Sequence, residues 1–226
     1  MSKPVRIALV GATGLIGQSL IRTAVNRSDV RIVAIARREV PLPPGARMEV
    51  LVAQPEGWDD AIAAANADVL VCALGTTIRQ VGGDQAAFRA VDQGLVLAVA
   101  RAAKAAHVRQ MIVISSIGAD MAAKNFYLRV KGEVEQALAK IGITRLDIVR
   151  PGLLRGARGE RRIGERLAMI VSPLTDLLLH GGFRKYRSVK AATVARAIIG
   201  LAKEKPAGRF VYEHDAILRA ARKAGD

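Results

Sequence analysis

At 226 residues with 51% hydrophobic side chains, the chain is long enough for one sizeable core, and no linker divides it. Its formal charge of +15, from 35 basic and 20 acidic residues, points to anionic partners, while no apolar run reaches the roughly 18 to 20 residues of a bilayer span. A lone cysteine, Cys72, excludes an intrachain disulfide, and the separated His107, His180 and His214 show no metal-ligand spacing, so no metal is expected.

Aromatic residues make up only 4%, so the core must be built from Ala, Val, Leu and Ile, which suits a sheet covered by alanine-rich helices. The start, Met1-Ser2-Lys3-Pro4, has no apolar leader, and the expected location is cytoplasmic. Neither a base-stacking signature nor a helix-turn-helix pattern accompanies the basic charge; nucleic acid and membrane are therefore not the expected partners.

The first stretch, V-R-I-A-L-V-G-A-T-G-L-I-G from Val5 to Gly17, reads as a strand buried on both faces, then glycines 11, 14 and 17, then a helix from Leu15 to Asn26. A strand that passes through glycines into a helix can hold phosphate. The chain turns sharply at Gly11, the backbone at Gly14 lets a pyrophosphate approach, and Gly17 lets helix and strand pack closely. The spacing is G-x-x-G-x-x-G, a variant of the dinucleotide fingerprint. A second strand, Arg31 to Ala36, ends in Arg37-Arg38, where an acid would accept from the ribose hydroxyls of NAD. Two arginines there instead suit the 2′-phosphate of NADP(H).

A short strand over Met48–Val52 and a helix over Trp58–Asn66 precede a fourth strand, Asp68 to Leu74, which ends in Gly75-Thr76-Thr77. Cys72 lies inside that strand and reads as structural. Asp84 reads as the N-cap of one long helix with Phe88, Val91, Leu95, Val99 and Ala102 on one face. The fifth strand, Met111 to Ser115, runs into Ser116-Ile117-Gly118. The next helix, about Asn125 to Lys140, carries Tyr127 and Lys131 four residues apart, one position round from its buried stripe.

That spacing has a chemical use. A free tyrosine has a pKa of about 10, and a nearby ammonium favours its phenolate, so the pair can exchange a proton with a carbonyl or alcohol oxygen. A serine hydroxyl from the neighbouring strand end can orient the same oxygen.

With the glycine turn, the Ser-Ser strand end and Y-x-x-x-K in this order, the chain resembles the atypical branch of the short-chain dehydrogenase/reductase superfamily, in the group related to the Tat-interacting oxidoreductase-like protein. The similarity runs through G-A-T-G-L-I-G at 11–17, A-R-R at 36–38, L-G-T-T at 74–77, S-S-I-G-A-D at 115–120, N-F-Y-L-R-V-K-G-E-V-E at 125–135 and R-P-G-L-L at 150–154. The resemblance implies a single Rossmann-like α/β domain over 1–226: a doubly wound, mostly parallel sheet with helices on both faces. A dinucleotide-binding core occupies 1–150, and 151–226 is a small substrate-covering part of the same domain.

By position, the resemblance places the cofactor pyrophosphate on Gly11, Thr13, Gly14, Leu15, Ile16 and Gly17, its 2′-phosphate on Arg37 and Arg38, and its adenosine side on Leu74, Gly75 and Thr76. It makes Tyr127 the proton donor or acceptor and Lys131 the residue that holds the nicotinamide ribose and lowers the tyrosine pKa. Ser116 is the catalytic serine it points to, with Ser115 the alternative at the cofactor. Pro151, Gly152, Leu153 and Leu154, after a sixth strand at Arg145–Val149, meet the nicotinamide end, and Arg162 reaches cofactor or substrate. The asparagine-alanine-glycine signature of many members is replaced by Ala73-Leu74-Gly75-Thr76, which leaves the proton relay open.

From Arg155 to Lys190 nine basic residues, among them Arg158, Arg161, Arg184 and Arg187, face only three acids. The segment reads either as a substrate wall that favours an acidic substrate or as a solvated face. A helix over Thr193–Lys203, a strand over Arg209–Tyr212 and a helix over Asp215–Lys223 close the chain. Two functions follow: an NADP(H)-dependent oxidoreductase acting on a small carbonyl or alcohol, or an NADP(H) sensor that acts through a protein partner. A homo-oligomer fits either.

Overall fold

Aliphatic runs with side chains buried on alternate faces define the strands, and crossovers between them, helical except from β2 to β3, let each strand run in the same direction. The computed structural model describes residues 3–156 and 181–225. In chain order these hold β1 (Val5–Val10), α1 (Leu15–Ala24), β2 (Val30–Ala36), β3 (Glu49–Val52), α2 (Trp58–Ala65), β4 (Val69–Cys72), α3 (Gln85–Arg89) and α4 (Val96–Ala105). There follow β5 (Gln110–Ile114), α5 (Phe126–Ile141), β6 (Arg145–Val149), β7 (Leu154–Arg155), β8 (Val189–Lys190), α6 (Ala191–Ala202), β9 (Gly208–Tyr212) and α7 (His214–Lys223).

Seven strands pair in parallel in the order β3-β2-β1-β4-β5-β6-β9, a Rossmann-like α/β sheet, while β7 and β8 form a separate two-stranded ribbon. Ile7 and Leu9 of β1, with Ile32, Val71 and Ile112, face α1, α6 and α7. The alternate residues Ala8 and Val10, with Ile35, Leu70 and Met111, face α2, α4 and α5. Both faces are thus apolar, which explains the near-continuous aliphatic runs.

The predicted long helix after Asp84 is present but interrupted. Asp84 accepts from the N–H groups of Ala86 at 2.7 Å and Ala87 at 3.1 Å, capping α3 as expected. Between α3 and α4, Ala90–Leu95 forms a π-helical segment. An extra residue in the turn rotates the faces, so Asp92 points inward while Val91 and Leu95 are only half-buried.

The C-terminal strand is fastened by a buried polar cluster. Asp147, fully buried on β6, accepts from Arg145 Nε and Nη2, both at 2.8 Å, from Gln110 Nε2 at 2.7 Å and from the Tyr212 hydroxyl at 2.9 Å. Gln110 also reaches the Leu201 carbonyl at 2.8 Å, and Arg145 stacks over Phe210, 4.3 Å from its centroid. Burial, then the Asp147 charge, holds the Tyr212 phenol well above its usual range, so its hydroxyl remains a donor. Replacing Asp147→Ala strands the Arg145 guanidinium in the interior. Urea unfolding is expected to show a loss of about 3–5 kcal/mol, and a loss within ordinary surface-mutation range contradicts this account of the cluster.

Candidate functional site

The carboxyl ends of β1, β4, β5 and β6 lie side by side, and the loops leaving them collect most of the residues singled out in the sequence. At β1 the chain turns through Gly11 with φ +92°, where an added Cβ would sit 2.5 Å from the carbonyl carbon of Ala73. A Cβ at Gly17 would lie 2.3 Å from the Gly11 carbonyl oxygen. Side chains are therefore excluded at both positions by backbone. Gly14 is the N-cap of α1 with no side-chain cap, and no acid stands in the first turn. The N–H groups of that turn, at Leu15 and Ile16, have no acceptor within the helix and are available to an anion. Thr13 is exposed beside them.

Arg37 and Arg38 stand exposed past the end of β2, and neither guanidinium has a hydrogen-bond or ion-pair partner among the described residues. Leu74 is half-buried and Gly75 exposed, and the Thr76 N–H donates to Asp92 Oδ2 at 2.7 Å. The other carboxylate oxygen of Asp92 lies 2.8 Å from Lys131 Nζ. Both side chains are buried. Burial pushes the Lys131 ammonium down, but the Asp92 carboxylate and, next, Tyr127 outweigh it and leave the lysine above its ordinary value.

Lys131 was expected at the margin of the core; the structure buries it, which is tolerable because Asp92 faces it. Tyr127 is half-buried, packs edge-on against Phe88 with centroids 5.9 Å apart, and lies 5.9 Å by its ring centre from Lys131 Nζ. Its hydroxyl has no hydrogen-bond partner among the described residues.

The two serines are placed differently. Ser115 is buried and donates to Glu135 Oε1 at 2.5 Å, and Glu135 is in turn clasped by Arg150 through Nε at 2.9 Å and Nη2 at 2.5 Å. Ser116 is half-buried, and among the described residues its hydroxyl makes only a 3.3 Å contact to the Ile117 carbonyl. The Ile117 N–H donates to the Pro151 carbonyl at 3.0 Å, which ties the Ser116 turn to the loop after β6.

Gly152 fits beneath the 186–187 backbone, where a Cβ would lie 2.5 Å from the Arg187 carbonyl oxygen. Leu153 is half-exposed, Leu154 begins β7, and a Cβ on Gly156 would meet Leu15 at 2.8 Å, so the chain after β6 returns to the glycine turn. Arg162, Arg158 and Arg161 lie outside the described residues. Of the basic segment that remains, Arg184 pairs with Asp215 at 3.6 Å.

Cys72 is fully buried in β4, and burial pushes its thiol up to about 11, as a structural cysteine requires. Among the described residues no cluster of three or more His, Cys, Asp or Glu side chains could hold a metal, and no helix is long and apolar enough to cross a membrane. Sequence reasoning missed Asp92 and Glu135. For Glu135 a signal existed, since it stands four residues beyond Lys131 on the same helical face.

Residues 11–205 match the family described as NAD(P)H-binding. The protein fmp52, mitochondrial, of Aspergillus niger is 29% identical over 214 residues, covering 89% of this chain and 91% of its own length. That of Aspergillus fumigatus is 30% identical over 200 residues, with 85% of each chain covered. A Bacillus halodurans structure described as an NAD-dependent epimerase/dehydratase superposes with a TM-score of 0.70 at 21% identity, covering 97% of this chain and 99% of that one. MoeE5 in complex with UDP-glucose and NAD gives 0.68 at 16% identity, covering 97% and 81%.

The cytoplasmic location expected from the sequence is corrected by these relatives, which are named as mitochondrial proteins. The lack of an apolar leader carried no information on this point, because organelle targeting segments are amphipathic and basic rather than apolar.

The Lys131–Asp92 pair has a pH signature. Because the folded-state lysine pKa is raised, the pair contributes fully below the ordinary lysine value of about 10.5 and is lost as pH rises through the folded value. In Asp92→Asn the largest contribution opposing burial is lost, and the lysine pKa is expected to fall. The variant is expected to lose about 3–5 kcal/mol at neutral pH, with the deficit shrinking toward about pH 10 as Lys131 discharges. Urea unfolding across that range checks it, and a deficit independent of pH contradicts the pairing.

Proposed function

Since the chain belongs to the NAD(P)H-binding family, we propose that it is an NADP(H)-dependent oxidoreductase that interconverts a small carbonyl and its alcohol. The observation that carries this is a Tyr127 hydroxyl without a partner among the described residues, beside a Lys131 paired with Asp92, on the strand-end edge that also bears the glycine turn.

The residues present fit a nicotinamide dinucleotide. The turn at Gly11 and Gly17 has no room for side chains, the first turn of α1 offers free N–H groups, and Arg37 and Arg38, past the end of β2, are exposed without an ion-pair partner among the described residues, as a 2′-phosphate site requires. Gly11, Thr13, Gly14, Leu15, Ile16 and Gly17 would hold the pyrophosphate, Leu74, Gly75 and Thr76 the adenosine side, and Pro151 to Leu154 the nicotinamide end. When bound, the nicotinamide supplies or accepts the hydride.

The rest belongs to this chain. Tyr127 donates its proton to the carbonyl oxygen as the alcohol forms, and the Lys131 ammonium stabilises the phenolate left behind. Ser116 donates a hydrogen bond to the same oxygen and orients it. Ser115 is committed to Glu135, which favours Ser116 for this task. Asp92 is the largest of the contributions that outweigh the burial pushing the Lys131 ammonium down. At 16% identity the UDP-glucose of MoeE5 speaks for that protein alone, and no nucleotide sugar is proposed here.

With NADPH and a panel of small aldehydes and ketones, turnover is followed by loss of nicotinamide absorbance. Tyr127→Phe is expected to lower kcat by about 10²–10⁴-fold while NADPH affinity stays within about threefold. Unchanged turnover removes Tyr127 from the chemistry; NADPH binding without turnover of any substrate by the parent protein favours the sensor reading.

A further inference from the structure

A buried carboxylate that takes no part in the chemistry above joins two strand ends beside the reacting groups. Glu135, on α5, is 2% exposed. Ser115, just past β5, donates to its Oε1 at 2.5 Å. Arg150, just past β6, donates from Nε to Oε1 at 2.9 Å and from Nη2 to Oε2 at 2.5 Å. Arg209 of β9 lies farther off, 3.9 Å from Oε2. A carboxylate held by two charge-assisted bonds from a planar guanidinium has a fixed orientation, and the serine bonded to it inherits that orientation.

The backbone completes a ring. The Ser115 N–H donates to the carbonyl of Val149 at 2.8 Å, so the β5–β6 ladder runs on through Ser115, and the Arg150 N–H donates to the Tyr212 carbonyl at 2.8 Å. Ser115 is therefore fixed twice, by its amide on β6 and by its hydroxyl on α5. Successive side chains along a strand point to opposite sides, so a Ser115 hydroxyl anchored inward turns that of Ser116 the other way. Burial follows the same alternation, with Ser115 buried and Ser116 half-buried. The 3.3 Å contact of the Ser116 hydroxyl to the Ile117 carbonyl is too long to direct it strongly. Its aim is set by its neighbour.

We propose that Ser115 and Glu135 are positioning residues: the carboxylate holds the Ser115 hydroxyl, and that bond aims the Ser116 hydroxyl at the substrate oxygen. Arg150 keeps the carboxylate in place. Because the Ile117 N–H also donates to the Pro151 carbonyl at 3.0 Å, the same device aligns the Ser116 turn with the loop at the nicotinamide end. The proposal rests on the oxidoreductase reading, in which Ser116 bonds the carbonyl that Tyr127 protonates.

A double-mutant cycle on kcat, in the whole protein with NADPH and the aldehyde that the parent reduces fastest, separates aiming from general support. Ser115→Ala is expected to lower kcat by about tenfold, the scale of one hydrogen bond to a charged group, with NADPH affinity within about threefold. Its melting curve should stay near that of the parent, since Arg150 still pairs with Glu135. Combined with Ser116→Ala, it should cost nothing beyond Ser116→Ala alone, because no hydroxyl is left to aim. Glu135→Gln should likewise lower kcat in the parent and add no loss in the Ser116→Ala background. Losses that multiply in the double variants mean support of the fold rather than of Ser116 and overturn the proposal; so does parental kcat in Ser115→Ala or in Ser116→Ala. In each of those cases, turnover that Tyr127→Phe abolishes leaves the oxidoreductase reading standing. A parent that reduces no carbonyl removes that reading and this proposal together.

Discussion

The architecture turns on one close backbone approach, that of Gly11 to Ala73. β1 and β4 are neighbours in the sheet although β2 and β3 intervene in sequence, so the chain order reverses between them, and the loops leaving β1 and β4 diverge to opposite faces. A crevice opens where they part. It stays narrow and lined by backbone because neither Gly11 nor Gly17 carries a Cβ; either one would collide with main-chain atoms at 2.5 or 2.3 Å. The start of α1 is thereby set at the crevice mouth with its amide groups outward.

The polar groups buried near that mouth form two separate units. One is Asp92, which spans Lys131 Nζ and the Thr76 amide, coupling the loop after β4 to the helix that bears Tyr127. The other is Glu135, which draws the Ser115 hydroxyl and Arg150 together, one helical turn beyond Lys131. Each pairs a carboxylate with a cation inside the protein, and beside each stands a hydroxyl outside the pair: Tyr127 in the first case, Ser116 in the second. Buried charge is thus used to orient a surface that faces the crevice. The Asp147 cluster does comparable work further along the sheet, holding β9 to β6.

Much of the fold was legible because parallel strands buried on both faces are written as aliphatic runs, and β6 was read to the residue. The glycine turn was legible for a related reason, since backbone collision admits no other residue. What escaped depends on departures from regular periodicity. A stripe drawn at 3.6 residues per turn put Val91 and Leu95 inside, whereas the π-helical segment turns Asp92 inward, and nothing in the local sequence announces the extra residue. The difference between Ser115 and Ser116 was hidden too, because it rests on contacts with Glu135, twenty residues away. Location was misread because the lack of an apolar leader does not report on organelle targeting.

The central claim is that the β1–β4 crevice takes a nicotinamide dinucleotide and selects its phosphorylated form through the end of β2. Calorimetric titration with NADPH and NADH, repeated on Arg37→Ala, tests it most directly. Tighter binding of NADPH, with the preference eroded in the variant and NADH affinity little changed, is the result this account predicts. Binding of neither nucleotide would make the glycine turn purely structural and contradict the account at its base; equal binding of both, unaltered by the substitution, would contradict the part assigned to Arg37.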